Sequence, residues 1–334
     1  MLQELFRIPG LDLPVFGYGL MLVIGVFAAI QLGSVLANRN GLNGDDFWNI
    51  GFLALVGGVF GARLSHVLEN LDVYTDSSRS FWANLKAAVN LSNGGLTFYG
   101  GFIFATIVLI SYAKWKRIPL RLGMDIVAPC LMIGLAFGRV GCLLNGCCWG
   151  DTCSPDRVPW AVTFPYASPP YSGQFADGKL HIGDGHNEVP RALVTEVETE
   201  SGDERLALLP QETVAKDETL RALARSSRSL PVHPTQVYST LNAFLIAAIC
   251  IVFLRLRPPE GRVFALMLML YGPGRFSLEL LRVEPAVAGG MSFSMWVSIF
   301  TTLAGAVLWF AFGRRVDLTR SPRPAETPQL ATGR

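Results

Sequence analysis

Residues 124–150 read M-D-I-V-A-P-C-L-M-I-G-L-A-F-G-R-V-G-C-L-L-N-G-C-C-W-G. From Met124 to Leu144 the stretch is apolar and close to the ~20 residues that a helix needs to cross a bilayer. Arg139 breaks it. A guanidinium at that depth is costly and is kept mainly where it meets an anionic partner, so Arg139 marks a functional site. Downstream, Tyr271–Arg282 (Y-G-P-G-R-F-S-L-E-L-L-R) carries Arg275, Glu279 and Arg282 at helical spacings. Those spacings put all three on one helix face. Two arginine-bearing faces in one membrane bundle call for an anionic ligand that itself lies in the membrane, such as a phospholipid headgroup.

Composition agrees with a membrane chain. Of 334 residues, 51% are hydrophobic and 16% are charged, where soluble domains carry about 25% charged residues. The fold expected is an all-α, polytopic integral membrane protein with seven transmembrane helices. The spans fall at about 14–37, 47–68, 95–115, 123–144, 235–256, 262–282 and 291–312. The first run is long enough to span and carries no small-residue cleavage site at its start, so it reads as a helix rather than a removable leader. Together these spans make one membrane domain over residues 1–315. No internal repeat is visible, which argues against a secondary transporter.

Short basic loops set the orientation. Lys114, Lys116, Arg117 and Arg121 lie between the third and fourth spans, Arg255, Arg257 and Arg262 flank the next short loop, and Arg314 and Arg315 follow the last span. By the positive-inside rule all three groups are cytoplasmic, which puts the N-terminus outside and the C-terminus inside. Residues 151–232 then form an extracytoplasmic insertion. Its 184–228 portion, charged and poor in aromatics, reads as flexible, and 316–334 reads as a disordered cytoplasmic tail.

Four of the six cysteines cluster as Cys142, Cys147, Cys148 and Cys153. With no C-x-x-C pair and no histidine beside them, disulfides or free thiols are the expectation and a metal is not. Cys130 and Cys250 read as small packing residues. The paired glycines of Gly94–Gly101 (G-G-L-T-F-Y-G-G) permit either close helix packing or close approach to a ligand beside Tyr99. His233–Tyr238 (H-P-T-Q-V-Y) opens the fifth span and brings imidazole, amide and phenol groups to the level of Arg139. Tyr18 adds a second phenol there. Arg63 reads as a structural cation.

Four of these segments, in this order, resemble the bacterial prolipoprotein diacylglyceryl transferase family: G-G-L-T-F-Y-G-G, G-R-V-G-C-L-L-N-G-x-x-W-G, H-P-T-Q-V-Y and Y-G-x-G-R-F-x-x-E-x-x-R. The resemblance implies an enzyme of the plasma (inner) membrane, active at the outer leaflet. Such enzymes move the diacylglyceryl group of phosphatidylglycerol to the lipobox cysteine of a prolipoprotein, forming a thioether and releasing glycerol phosphate. It implies catalytic roles for Arg139, Arg275, Tyr99 and Glu279, and substrate binding by Arg139, Tyr18, Asn145, Gly150, His233, Tyr238 and Arg282. The partners implied are phosphatidylglycerol, prolipoprotein signal peptides and membrane lipids, with no nucleic acid, no metal and no other cofactor. Three positions depart from the family pattern. Tyr99 stands at the usual histidine, Cys142 at the usual asparagine and Cys147 at the usual glutamate.

A phenol with a pKa of about 10 is a poor replacement for a base that titrates near neutrality. The departures therefore leave two alternatives open: a non-catalytic lipid- or peptide-binding scaffold, and a thiol- or metal-handling protein built on the four cysteines.

Overall fold

The computed structural model describes residues 4–8, 13–75, 80–90, 95, 97–183, 185, 188–198, 204–282 and 286–313. Expectations that rest on Gly94, Leu96, Arg314, Arg315 and the 316–334 tail lie outside the described residues.

The chain is mostly helical. Its long helices are α1 (Gly17–Arg39), α2 (Gly44–Glu69), α5 (Phe98–Trp115), α6 (Leu120–Asn145), α10 (Thr235–Arg255), α11 (Arg262–Glu279) and α12 (Phe293–Gly313). Short helices α3 (Leu71–Tyr74) and α4 (Phe81–Val89) lie between α2 and α5, and α7 (Pro169–Ala176), α8 (Gln211–Val214) and α9 (Glu218–Ser226) lie between α6 and α10. Among the described residues, five helices, α1, α2, α6, α10 and α12, are long and apolar enough to cross a membrane. Their outer faces carry large exposed apolar side chains, among them Phe52, Leu241, Leu245, Phe300 and Phe310. A belt of that extent is unfavourable in water and fits lipid.

Two antiparallel hairpins depart from an all-α expectation. Strand β1 (Glu4–Ile8) pairs with β2 (Leu13–Phe16), so the first long helix begins at Gly17 and not at residue 14. Strand β3 (Val194–Glu198) pairs with β4 (Glu204–Leu208) inside the insertion. The insertion has its own core of Tyr166, Tyr171, Leu180, Val189, Leu193 and Val214. The described part of 184–228 is therefore folded, which corrects the flexible reading: three of those six core side chains come from it.

Helix α6 runs through the middle and packs on α1, α10 and α11. At the end of the bundle that bears the short basic loops, Asp125 of α6 is completely buried and accepts hydrogen bonds from the amides of Gly261 (2.7 Å) and Phe264 (2.9 Å). It caps α11, satisfying amides that have no partner within their own helix and placing a negative charge at the positive end of the helix dipole. Helices α2 and α5 interlock at glycines: a Cβ on Gly100 would stand 2.6 Å from the Gly61 carbonyl, and one on Gly101 would stand 3.0 Å from the Gly58 carbonyl. For these two glycines the packing reading holds.

Removing the cap is expected to loosen α11. Asp125→Ala leaves two buried amides without their acceptor, which should cost roughly 1–3 kcal/mol. Unfolding of the purified protein in detergent measures it, and stability equal to the parent would remove the role given to Asp125.

Candidate active site

The end of α6 builds the site. After Asn145, Gly146 takes the left-handed conformation (φ 74°), the Gly146 amide bonds to Leu143 O and the Cys147 amide to Cys142 O. This is the paired closure that glycine permits at a helix C-terminus. The chain then turns at Cys148, which also has positive φ (61°), and α10 holds it from outside. Gln236 Nε2 donates to Cys147 O (2.7 Å) and Thr235 Oγ1 donates to Cys148 O (2.8 Å). Next, the Gly150 amide bonds to His233 O and the Asp151 amide to Leu281 O, beyond the end of α11. A Cβ at Gly150 would lie 2.7 Å from His233 Cβ and 2.9 Å from Leu281 O, so only glycine fits between these elements. Three sequence segments that looked independent therefore meet at one turn.

The arginines surround that turn. On α11, Glu279 is 2% exposed. It pairs with Arg275 Nη1, accepts from Ser292 Oγ (2.8 Å) and lies 3.7 Å from Arg282 Nη1. Arg275 Nη2 also donates to Ser294 Oγ (3.0 Å). One carboxylate thus separates two guanidinium groups whose side chains are each 17% exposed. Arg139, by contrast, makes no hydrogen bond or ion pair among the described residues. Hydrogen bonds from the thiols of Cys142 and Cys147, and then the fields of Arg139 and Arg282, hold the Cys148 thiol below the ordinary thiol range against the effect of burial. Arg282 also lines the same cavity as Cys148. Tyr18 lies within electrostatic range of Arg139 and of the three thiols, and the Asn145 side chain reaches Cys147. Among the described residues, Glu279 alone pairs with both Arg275 and Arg282, which leaves that group with one net positive charge.

A cavity of about 310 Å³ opens beside the turn, lined by Cys148, Trp149, Gly150, Asp151, Lys179 and Arg282 among others. Lys179 comes from the insertion and pairs with Asp151 at 3.1 Å. Across the turn, the His233 ring stacks edge-on to Tyr238 (6.4 Å between centroids), and the Tyr238 hydroxyl accepts from the Trp160 indole. Tyr99 stands 62% exposed on α5, whose main partner is α2. Arg63 donates to the carbonyls of Ala87, Ala88 and Gly95, tying α4 and the approach to α5 onto α2, as expected of a structural cation. The sequence reading missed Lys179, Ser292 and Ser294. Ser292 and Ser294 sit in a plain loop-to-helix junction, and only the buried charge they solvate reveals them.

The sequence profile of the prolipoprotein diacylglyceryl transferase family matches residues 3–311. The chain belongs to that family. It is similar to a phosphatidylglycerol–prolipoprotein diacylglyceryl transferase of Rhodopirellula baltica, at 30% identity over 92% of this chain and 74% of the relative. Enzymes of the same name from Clostridium tetani (27% identity, 91% of this chain and 95% of the relative) and Burkholderia mallei (29% identity, 89% and 90%) are also similar. Family membership thus agrees with the multi-pass helical architecture and with a transferase.

The carboxylate should govern the integrity of this face. Removing one partner of a buried ion pair costs about 3–5 kcal/mol, and partial exposure of the arginines lowers that figure here. Glu279→Gln is expected to destabilise by roughly 2 kcal/mol and Ser292→Ala by about 1 kcal/mol. Both are read by unfolding in detergent. Equal effects from the two would show that charge at Glu279 does not hold the arginines.

Proposed function

We propose that the protein transfers the diacylglyceryl group of phosphatidylglycerol to the lipobox cysteine thiol of prolipoproteins. The observation that carries this reading is the Arg275–Glu279–Arg282 group, two guanidinium groups sharing one buried carboxylate at the end of a bundle helix, beside the cavity that Arg282 lines. The thiol sulfur attacks the glycerol carbon that bears the phosphate. As the carbon–oxygen bond breaks, negative charge grows on the departing glycerol phosphate. Fixed guanidinium groups in a low-dielectric cleft stabilise that charge without having to reorganise. Arg139 and Arg282 hold the phosphate, by forked contacts where geometry permits. Arg275, fixed by Glu279 and Ser294, completes the field. Tyr18, Asn145, Gly150, His233 and Tyr238 shape the walls. Tyr99, exposed on α5, serves as a hydrogen-bonding group for the incoming substrate.

The membrane arrangement proposed has seven spans. The five long apolar helices are joined by α5 and α11, whose 18 residues reach about 27 Å at 1.5 Å per residue. Arg275 and Glu279 make α11 the most polar of the seven, as a lipid-headgroup site requires. The protein lies in the plasma membrane with the N-terminus and the 151–232 insertion outside, the basic short loops inside, and residues 316–334 as a cytoplasmic tail. The clustered cations of the 114–121 and 255–262 segments support this orientation.

Transfer from phosphatidylglycerol to a lipobox peptide tests the chemistry. Arg139→Ala and Arg282→Ala are each expected to lower turnover by roughly 10²–10³-fold, the scale of losing one preorganised donor. Lysine should restore little, because it lacks the planar fork. Tyr99→Phe should cost only about tenfold, or ~1.4 kcal/mol of barrier. Near-normal transfer by both alanine variants at equal protein levels would remove the phosphate roles.

Orientation is tested by labelling single cysteines, placed in a background without the native ones, with a membrane-impermeant reagent. Gly185→Cys is expected to label in intact cells and Ile118→Cys only after the membrane is opened. The reverse pattern would invert the topology.

A further inference from the structure

Cys142, Cys147 and Cys148 are all unpaired, and their Sγ atoms lie within 4.8 Å of one another. Cys153, close in sequence, does not belong to the group. The convergence follows from the left-handed Gly146 and from positive φ at Cys148, and the turn is held by Gln236 and Thr235 through the carbonyls of Cys147 and Cys148. Thiols on a turn braced from outside are preorganised. Zinc–sulfur bonds of about 2.3 Å in a tetrahedron place sulfurs about 3.8 Å apart, which is compatible with this spacing.

We propose that Cys142, Cys147 and Cys148 bind a thiophilic divalent cation of the zinc class, with the fourth coordination position open to the thiol of the acceptor. Three soft thiolates select such an ion over magnesium or calcium. Three thiolates on a divalent cation leave one negative charge, and the Arg282 guanidinium lines the same cavity as Cys148. Cys148 lines the cavity, so an open position reaches the space where substrate enters. Three protein ligands with a fourth position free is the arrangement of catalytic rather than structural zinc.

The inference rests on the transferase reading above and supplies what that reading lacks. The acceptor thiol must become a thiolate to attack, yet Tyr99 stands where the family pattern has histidine. A thiol that coordinates a divalent cation is deprotonated outright. Its proton passes to water. The sulfur then forms the carbon–sulfur bond as the carbon–oxygen bond to phosphate breaks, and glycerol phosphate leaves with the electron pair. The cation keeps its oxidation state throughout. Histidine, asparagine and glutamate positions occupied by Tyr99, Cys142 and Cys147 then have one common explanation: a metal does the work of the missing base.

The test uses the full chain, purified in detergent under reducing conditions and loaded with zinc or cobalt(II). About one equivalent of zinc per chain is expected to survive dialysis. Cys142→Ser, Cys147→Ser or Cys148→Ser should lose most of it, and Cys153→Ser should keep it. Cobalt(II)-loaded protein should show sulfur-to-metal charge-transfer absorption that grows by about one third when a lipobox peptide adds a fourth thiolate. A peptide with serine for cysteine should leave that absorption unchanged. No retained metal, equal metal in a triple serine variant, or a disulfide among the three in the isolated protein would overturn the site. A cobalt spectrum indifferent to the peptide thiol, or transfer by chelated protein as fast as by loaded protein, would overturn the role in activation. Absence of transfer in every state, with the peptide-dependent spectrum intact, would instead count against the transferase reading.

Discussion

A single buried carboxylate holds the two arms of the site in register. Asp125 accepts from the first amides of α11, so α6 and α11 are joined at the end of the bundle far from the chemistry. At the other end of α6 lies Arg139, and at the other end of α11 lies the Arg275–Glu279–Arg282 group. Two helices pinned at one end and packed along their length deliver their far ends to a reproducible separation. In hydrocarbon, apolar packing offers little preference between one helix register and the next, because lipid tails satisfy the same surfaces. Directional bonds at a helix end provide the preference that packing lacks.

The polar face of α11 obeys the same economy. Burying a carboxylate is unfavourable unless its oxygens are occupied, and Glu279 has Arg275, Ser292 and Arg282 around it. The carboxylate in turn keeps two guanidinium groups from repelling each other. Arg139 has no such companion among the described residues. The described residues thus include cations held by a protein carboxylate and one, Arg139, with no ion pair, and it is the second kind that the proposed function calls on.

Much of this was visible in the sequence because a membrane helix carries its signal locally. Runs of about 20 apolar residues and the rare arginines within them needed no knowledge of tertiary contacts. The elements that escaped depend on contacts distant in sequence. Val189, Leu193 and Val214 belong to a charged stretch that resembles a flexible loop, and they become a core only against Tyr166, Tyr171 and Leu180. The exposed position of Tyr99 was equally hidden, since its motif fixed the residue but not the helix it faces. The four clustered cysteines were visible, but that Cys142, Cys147 and Cys148 meet without Cys153 was hidden for a different reason. Their spacing matches no linear zinc motif, and the group closes only because Gly146 and Cys148 adopt backbone angles that spacing rules do not foresee.

The insertion meets the bundle through a zipped base: Gly150 bonds to His233, Asp151 and His233 bond to each other, and Thr152 and Val162 both bridge to Val232. Entry and exit of some eighty residues therefore occur at one point, like the neck of a purse. The β3–β4 hairpin, which is absent from the cavity lining, can lengthen or shorten without tugging on the cysteine turn. Only a few enclosed side chains, such as Lys179, look back into the cleft. The cysteine turn is thereby anchored by the neck, and a change deep in the insertion reaches it only through the side chains that line the cavity.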